Sequence, residues 1–264
     1  MRAISVHTDV IVVTSRIWKT TATAVRNGGE AFLIDSPVLP DELEILPALM
    51  QQAEFPITGL LATHADWDHL LGTYAFPEAA IGCGETTAAR LTAEPGVAAR
   101  ELRDFDEEYY VDRPRPLSLP GVQALPVPGY CAVGDQELEL HPADGHTADG
   151  TAVWIPWARV LVVGDYLSSH AIPELSPGAS IDKYLATLRR FAPLLTKADV
   201  VVPGHGETLD SARAAAILRE DVAYLQALRG DDPEHAPLPL ARRSGAQRKL
   251  HAYNLSLLRD GKAV

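Results

Sequence analysis

The seven residues THADWDH, at positions 63–69, constrain this chain more than any other stretch. An apolar run precedes them at 57–62 and predicts a short strand buried on both faces. Because side chains alternate along an extended backbone, His64, Asp66 and Asp68 would share one side, and His69 follows at once. Two carboxylates held this close repel each other unless a cation lies between them. The stretch therefore predicts a metal site.

Three further strand ends carry a possible metal ligand beside a glycine. These ligands are His146 in the segment GHTADG, Asp165 after Gly164, and His205 in the segment PGHG. Each glycine permits a sharp turn or a close backbone approach where an apolar strand stops. We therefore expect the strand ends to converge on one edge of a sheet. Asp149, in the first segment, is expected to be a turn residue.

The composition indicates one soluble globular domain spanning 1–264. Hydrophobic residues make up 47% of the chain and charged residues 22%, and no Gly/Ser linker or internal repeat marks a boundary. A formal charge of -12 argues against nucleic acid as the main partner. Neither a membrane span nor the apolar region of a signal peptide is evident, so a cytoplasmic protein with a small-molecule substrate and no membrane partner is expected. The oligomeric state cannot be read from the sequence.

The apolar pattern predicts strands in two clusters, each followed by helices. Strands are predicted at 10–14, 21–25, 30–35, 57–62 and 79–82, and then at 123–127, 136–141, 151–155, 159–163 and 199–202. Helices are predicted at 41–53, 85–93 and 181–195, near Leu70, and in the C-terminal part, 211–264, at 211–228 and 246–258. This order favours an α/β (α+β) fold of two sheets packed face to face with helices outside.

The segment 94–121 interrupts this regularity with prolines, charges and the pair Tyr109-Tyr110. A long irregular segment in a compact domain is usually a functional loop or a lid over a site. A solvated surface loop is the alternative. We predict an irregular segment here, with a lid as its possible role.

The seven candidate ligands predict a site for two metal ions. Imidazole and carboxylate groups suit zinc, iron or manganese, and seven ligands are too many for one tetrahedral ion. Asp165 can bridge two ions, and ions about 3.5–4 Å apart can share a water whose pKa falls toward neutrality. The resulting hydroxide is a nucleophile. Among the other histidines only His170, five residues beyond Asp165, is a candidate for the substrate pocket, together with Tyr166.

The order and spacing of these motifs resemble the metallo-beta-lactamase superfamily. The resemblance covers residues 10–228 and implies a four-layer αββα sandwich with the metal site at one edge of the sheets. It implies that His64, Asp66 and His146 hold the first metal, that Asp68, His69 and His205 hold the second, and that Asp165 bridges them. Leu33-Ile34-Asp35 also resembles the strand end upstream of the metal cluster in that superfamily.

One residue departs from the usual first motif, HxHxDH. The chain has HxDxDH, with Asp66 in place of the second histidine. An aspartate still binds metal, but it adds charge and moves the preference from zinc toward iron or manganese without excluding zinc. Two divalent ions, most simply zinc, are therefore the expected cofactors.

The resulting functional hypothesis is a dinuclear metal-dependent hydrolase that cleaves a small ester, thioester or lactone. A metal-bridging hydroxide would attack the carbonyl, and Asp68 would orient it. A phosphodiesterase of the same fold is the first alternative. An iron-dependent enzyme that uses oxygen, or a member that binds a ligand without turnover, is the alternative from a different class, because a fold does not fix its chemistry.

Overall fold

A seven-stranded sheet forms the N-terminal half of the computed structural model, which describes residues 1–119 and 121–264. Its strands lie side by side in chain order: β1 (Arg2–His7), β2 (Val10–Thr14), β3 (Thr21–Asn27), β4 (Glu30–Ile34), β5 (Ile57–Ala62), β6 (Ala80–Gly84) and β7 (Gln123–Leu125). Strands β1 to β4 pair antiparallel, whereas β4 to β7 pair parallel. The hairpin between β3 and β4 turns at Gly28, whose positive φ of 58° explains the glycine.

A five-stranded sheet forms the second layer, in the order β12-β11-β10-β9-β8. Its strands are β8 (Gly129–Val133), β9 (Gln136–Pro142), β10 (Thr151–Ile155), β11 (Val160–Val162) and β12 (Val200–Val202). Only β11 and β12 pair in parallel. That parallel pair places two of the predicted ligand-bearing strand ends next to each other.

The two sheets pack face to face, and helices cover their outer faces. The helices are α1 (Pro40–Gln52), α2 (Gly72–Ala75), α3 (Glu85–Ala93), α4 (Val97–Tyr109), α5 (Ile181–Leu195), α6 (Ser211–Leu228) and α7 (Gly245–Arg259). Alternation within each strand explains the layering: in β4, Ile34 faces the second sheet whereas Leu33 faces α1. The structure is therefore the predicted αββα sandwich.

The segment 94–121 is not irregular throughout, contrary to the sequence prediction. It contains helix α4, whose buried residues Ala98, Leu102 and Phe105 follow helical spacing. Charged residues surround these three positions and obscured the pattern. Strands β1 and β8 were also missed, because both are edge strands with several exposed residues.

Within residues 1–119 and 121–264, no helix combines the length and the apolar character needed to cross a membrane.

Candidate metal centre

The seven predicted ligands converge at one edge of the sandwich, where several strands end. His64, Asp66, Asp68 and His69 follow β5, and the last two lie in a single 3-10 turn, Trp67–His69. His146 lies between β9 and β10, Asp165 follows β11, and His205 follows β12. The amide of Gly204 donates to the carbonyl oxygen of Gly164 at 2.6 Å, which draws the last two strand ends together.

The first group of ligands contains His64, Asp66 and His146. Their ligand atoms all lie within 4.8 Å of one another. One carboxylate oxygen, Oδ2 of Asp66, lies 3.6 Å from Nε2 of His64 and 3.6 Å from Nε2 of His146. Both imidazoles are buried. These distances suit three donors arranged around one ion.

The second group contains Asp68, His69 and His205, also within 4.8 Å of one another. Oδ2 of Asp68 lies 3.3 Å from Nε2 of His205 and 3.6 Å from Nε2 of His69. His69 is almost fully buried, whereas the side chain of His205 is 22% exposed and borders the pocket. The second group therefore lies nearer to solvent on one side.

Asp165 lies between the two groups. Its Oδ2 is 3.5 Å from Nε2 of His146 and 3.2 Å from Nε2 of His205, while its Oδ1 is 3.2 Å from Nε2 of His69. A single carboxylate thus contacts imidazoles of both groups, which is the position a bridging ligand requires.

All four imidazoles turn Nε2 toward the cluster, and in three of them a hydrogen-bonding oxygen lies behind Nδ1. Nδ1 of His146 lies 2.8 Å from the carbonyl oxygen of Glu174, and Nδ1 of His205 lies 3.2 Å from that of Trp18. Nδ1 of His64 lies 3.0 Å from Oγ1 of Thr63. Acceptors in these positions favour the proton on Nδ1 and leave Nε2 free to bind a metal.

Asp35 lies behind His69 as an ion-pair partner, while Nδ1 of His69 makes no hydrogen bond within the described part of the chain. Its Oδ2 lies 3.1 Å from Nδ1 of His69, and it also accepts from the hydroxyl of Thr63 at 2.9 Å. Its Oδ1 accepts from the amide of Thr63 at 2.8 Å. Asp35 ends the segment Leu33-Ile34-Asp35, which resembles a strand end of the superfamily, and has a positive φ of 59°. Its contacts with His69 and, through Thr63, with His64 were not predicted.

The donor set fits metal ions on its own geometry. The buried atoms Nε2 of His64, His69 and His146 and Oδ1 of Asp165 have no hydrogen-bond partner within the described part of the chain. Buried polar atoms are normally paired, so four unpaired donors aimed at one small space call for a cation. Imidazoles with carboxylates are ligands that zinc, iron and manganese accept.

The carboxylates and imidazoles also shift one another's pKa. Burial opposes protonation of His69 and His205, but Asp68 and Asp165 outweigh it and raise the pKa of both well above the usual range. Burial likewise opposes protonation of His146, yet Asp66 and Asp165 raise its pKa to about 9. The cluster is therefore an anionic environment that stabilises positive charge.

Two further residues, Arg90 and Asp149, lie behind Asp66. The guanidinium NH1 of Arg90, on α3, lies 2.9 Å from Oδ1 of Asp66 and 2.9 Å from Oδ1 of Asp149. Asp149 is buried and accepts from the amide of Ala65 at 2.9 Å, so it supports the ligand loop and is not only a turn residue. No local sequence signal links Arg90 to this site, because α3 is a separate element.

Five of the seven candidate ligands border a pocket of ≈ 820 Å³: Asp66, Asp68, His146, Asp165 and His205. One wall is apolar and comes from Trp67, Leu167, Ile172 and Leu250. Another wall carries three carboxylates, those of Glu94, Glu101 and Glu174. Helix α4, in the segment predicted as a lid, contributes part of the wall, and helix α7 contributes another. A lid function for 94–121 stays a prediction.

The two residues predicted to contact substrate have different positions. His170 borders the pocket, with its Nε2 2.7 Å from Nζ of Lys19. Tyr166 is buried and does not line the pocket; its hydroxyl donates to the carbonyl oxygen of Ala143 and accepts from the amide of His146. Tyr166 therefore fixes the loop that carries His146, and substrate contact by His170 stays a prediction.

The comparisons with known proteins agree on one family. The sequence model of the metallo-beta-lactamase superfamily matches residues 16–205. A metallo-beta-lactamase type 2 from Pseudomonas aeruginosa is 23% identical over 183 residues, which are 69% of this chain and 66% of that protein. Metallo-beta-lactamase IND-1 from Chryseobacterium indologenes is 32% identical over 66 residues, 24% of this chain and 28% of that protein. The matched region thus spans less than two thirds of either relative.

Solved structures share the fold. A metallo-beta-lactamase family protein from Thermus thermophilus superposes with a TM-score of 0.67 and 19% identity, covering 97% of this chain and 95% of that one. A metallo-beta-lactamase from Pontibacter korlensis superposes with a TM-score of 0.61 and 20% identity, covering 83% and 98%. At this identity the likeness concerns the fold.

Proposed function

Because this chain belongs to the metallo-beta-lactamase superfamily of metal-dependent hydrolases, we propose that it binds two divalent ions and hydrolyses a small ester, thioester or lactone. The convergence of four Nε2 atoms and three carboxylates at one edge of the sandwich, where five of these seven residues border one pocket, carries this proposal. Zinc is proposed as the metal, with iron or manganese as alternatives that the three carboxylates favour.

The proposed ligand assignment follows the two groups. His64, Asp66 and His146 would hold the first ion, Asp68, His69 and His205 the second, and Asp165 would bridge. Ions in these positions would supply a hydroxide at neutral pH and polarise the bond under attack. The chain's own part is to fix the donors before substrate arrives, through the acceptors behind Nδ1 of His64, His146 and His205 and through the ion pair of Asp35 with His69.

Asp68 is proposed as the residue that orients the nucleophile. Its carboxylate lines the pocket and contacts His69 and His205 through Oδ2. A carboxylate at the pocket floor can accept a hydrogen bond from the attacking water and later hold the proton for the leaving group. Substitution Asp68→Asn keeps the shape and removes the basic group, so it should lower kcat more than it raises KM.

The pocket walls favour a neutral substrate over a phosphodiester. The carboxylates of Glu101 and Glu174 border the pocket and would repel a phosphodiester, which is itself an anion, whereas Glu94 is paired with Arg90. The apolar wall made by Trp67, Leu167 and Leu250 suits the hydrocarbon part of an acyl group. A phosphodiesterase is therefore the weaker of the two hydrolase candidates.

The test is a substrate panel on protein loaded with zinc, iron or manganese. It contains an aryl ester, an acyl thioester, a lactone and a chromogenic phosphodiester, and a β-lactam because the sequence relatives are named metallo-beta-lactamases. We expect turnover of a carbonyl substrate that is lost in Asp165→Ala. No hydrolysis of any member by metal-replete protein would refute the proposal. Oxygen uptake by the iron form would instead support an iron-dependent enzyme that uses oxygen. Stoichiometric ligand binding without product would support a member that binds a ligand without turnover.

A further inference from the structure

We propose that Arg90 is a positioning residue of the first metal site, which makes Asp66 a one-oxygen donor and offsets its charge. The Asp66–Arg90 pair would then take the place of a neutral ligand at position 66. This inference rests on the proposed metal site and concerns how that site tolerates an aspartate.

The two oxygens of Asp66 point in different directions. Oδ2 faces Nε2 of His64 and His146, at 3.6 Å from each. Oδ1 faces away and lies 2.9 Å from NH1 of Arg90. A guanidinium bound to the second oxygen competes with a metal for that oxygen and favours metal binding through the first. Arg90 therefore decides which oxygen binds and how the carboxylate is turned.

Arg90 is itself held in place by two further carboxylates. NH1 also lies 2.9 Å from Oδ1 of Asp149, whose own side chain is 1% exposed, and Nε lies 3.6 Å from the carboxylate of Glu94, just past the end of α3. Oδ2 of Asp149 accepts from the amide of Ala65. The guanidinium is thus tied to the same loop that carries Asp66, and its side chain is only 17% exposed.

The charge balance explains why a cation belongs there. With Asp66, the ligand set contains three carboxylates, where a histidine at this position would leave two. A guanidinium does not lose its proton in proteins, so Arg90 places a positive charge 2.9 Å from Oδ1 of Asp66. Because Arg90 neutralises the added charge outside the ligand shell, the donor strength at position 66 stays near that of a neutral ligand.

The decisive experiment is a four-protein cycle: wild type, Arg90→Gln, Asp66→His and the double variant. Zinc affinity and stoichiometry are measured by chelator competition and mass spectrometry on folded, demetallated protein. In the chain with Asp66, Arg90→Gln should weaken one of the two sites by about 10–100-fold, the usual loss when a group that orients a ligand is removed. In the Asp66→His chain the same change should cause a clearly smaller loss, since only the contact of Arg90 with Asp149 and the ligand loop is then removed.

Two further variants separate the causes. Arg90→Lys keeps the charge but loses the planar geometry of the guanidinium, so it should restore part of the affinity, and it replaces Arg90→Gln if that protein does not fold. Arg103→Gln, an exposed arginine of α4, is the control and should change nothing. Equal losses in both backgrounds, or no loss with Asp66 present, would overturn the inference. Failure of wild type to bind zinc, iron or manganese would instead refute the proposed function.

Discussion

Gly204 offers the sharpest test of how the metal site is assembled, because it is not a ligand. A Cβ at this position would collide with Oδ1 of Asp165 and lie 3.0 Å from the carbonyl carbon of Gly164 and 3.0 Å from Cε1 of His69. The φ of Gly204 is not positive, so alanine fits the backbone without strain. Any effect of the substitution therefore comes from the collision of its Cβ. Gly204→Ala should therefore turn Asp165 out of its bridging position.

Packing and ligand geometry give the size of the expected losses in stability and in zinc affinity for Gly204→Ala. Forcing a methyl group into a filled space costs about 1–3 kcal/mol of the free energy of unfolding, and here backbone lies on one side of it. Displacing a bridging donor should cost at least the roughly 10–100-fold in zinc affinity that an orienting group costs. Gly29→Ala is the matched control, since a Cβ there has no atom within 4 Å.

The assays are thermal unfolding and zinc titration of demetallated protein. We expect Gly204→Ala to bind zinc weakly with a lowered Tm, while Gly29→Ala behaves as wild type. Wild-type zinc affinity in Gly204→Ala would refute the assignment of Asp165 as the bridge and the tight approach of the two strand ends.

Three other changes test the supports of the site and of the fold around it. The fully buried amide of Asn254, on α7, accepts a hydrogen bond from the amide of Leu175 and donates one to the carbonyl oxygen of Pro173. Asn254→Ala removes both and should lower the free energy of unfolding, measured by chemical denaturation, by about 2–3 kcal/mol. Ser256→Ala, on the same helix, should leave it unchanged. Asp35→Asn, which keeps the shape behind His69 but removes the charge, should weaken one zinc site about 10–100-fold without unfolding the protein, and unchanged zinc affinity would contradict the role given to Asp35. Burial raises the pKa of Asp221 to about 7, although Arg242 lies beside it and acts in the opposite direction. The pKa in the folded protein therefore exceeds the unfolded value of 3.8. The stability that protonated Asp221 contributes is fully present below pH 3.8 and is lost as the pH rises to about 7. The free energy of unfolding of wild type should thus fall relative to Asp221→Asn between about pH 4 and about pH 7.5, by up to roughly 4 kcal/mol, and a gap that grows in favour of wild type would refute this.

The convergence of the candidate ligands was predictable because each of them stands beside a local sequence signal. His64, Asp66, Asp68 and His69 follow one apolar run, and the remaining ligands stand beside glycines at strand ends. Such signals survive in a single sequence because a strand, its turn and its ligand are neighbours in the chain. The order of strands and helices was predictable for the same reason, since continuous apolar runs mark strands that are covered on both faces.

The supports of the ligands were not predictable, because their partners are distant in sequence. Arg90 meets Asp66 only after α3 has packed against the site, and the carbonyl of Glu174 reaches His146 across 28 residues. Helix α4 was missed since its charged residues outnumber its three buried ones. These contacts and this helix depend on tertiary packing, which no local sequence pattern indicates.

Metal stoichiometry tests the central claim most directly. Mass spectrometry of protein purified without added metal or chelator should find near two ions per chain in wild type and about one fewer in Asp66→Ala. One ion or none in wild type, unchanged by the substitution, would contradict a two-metal site that includes Asp66.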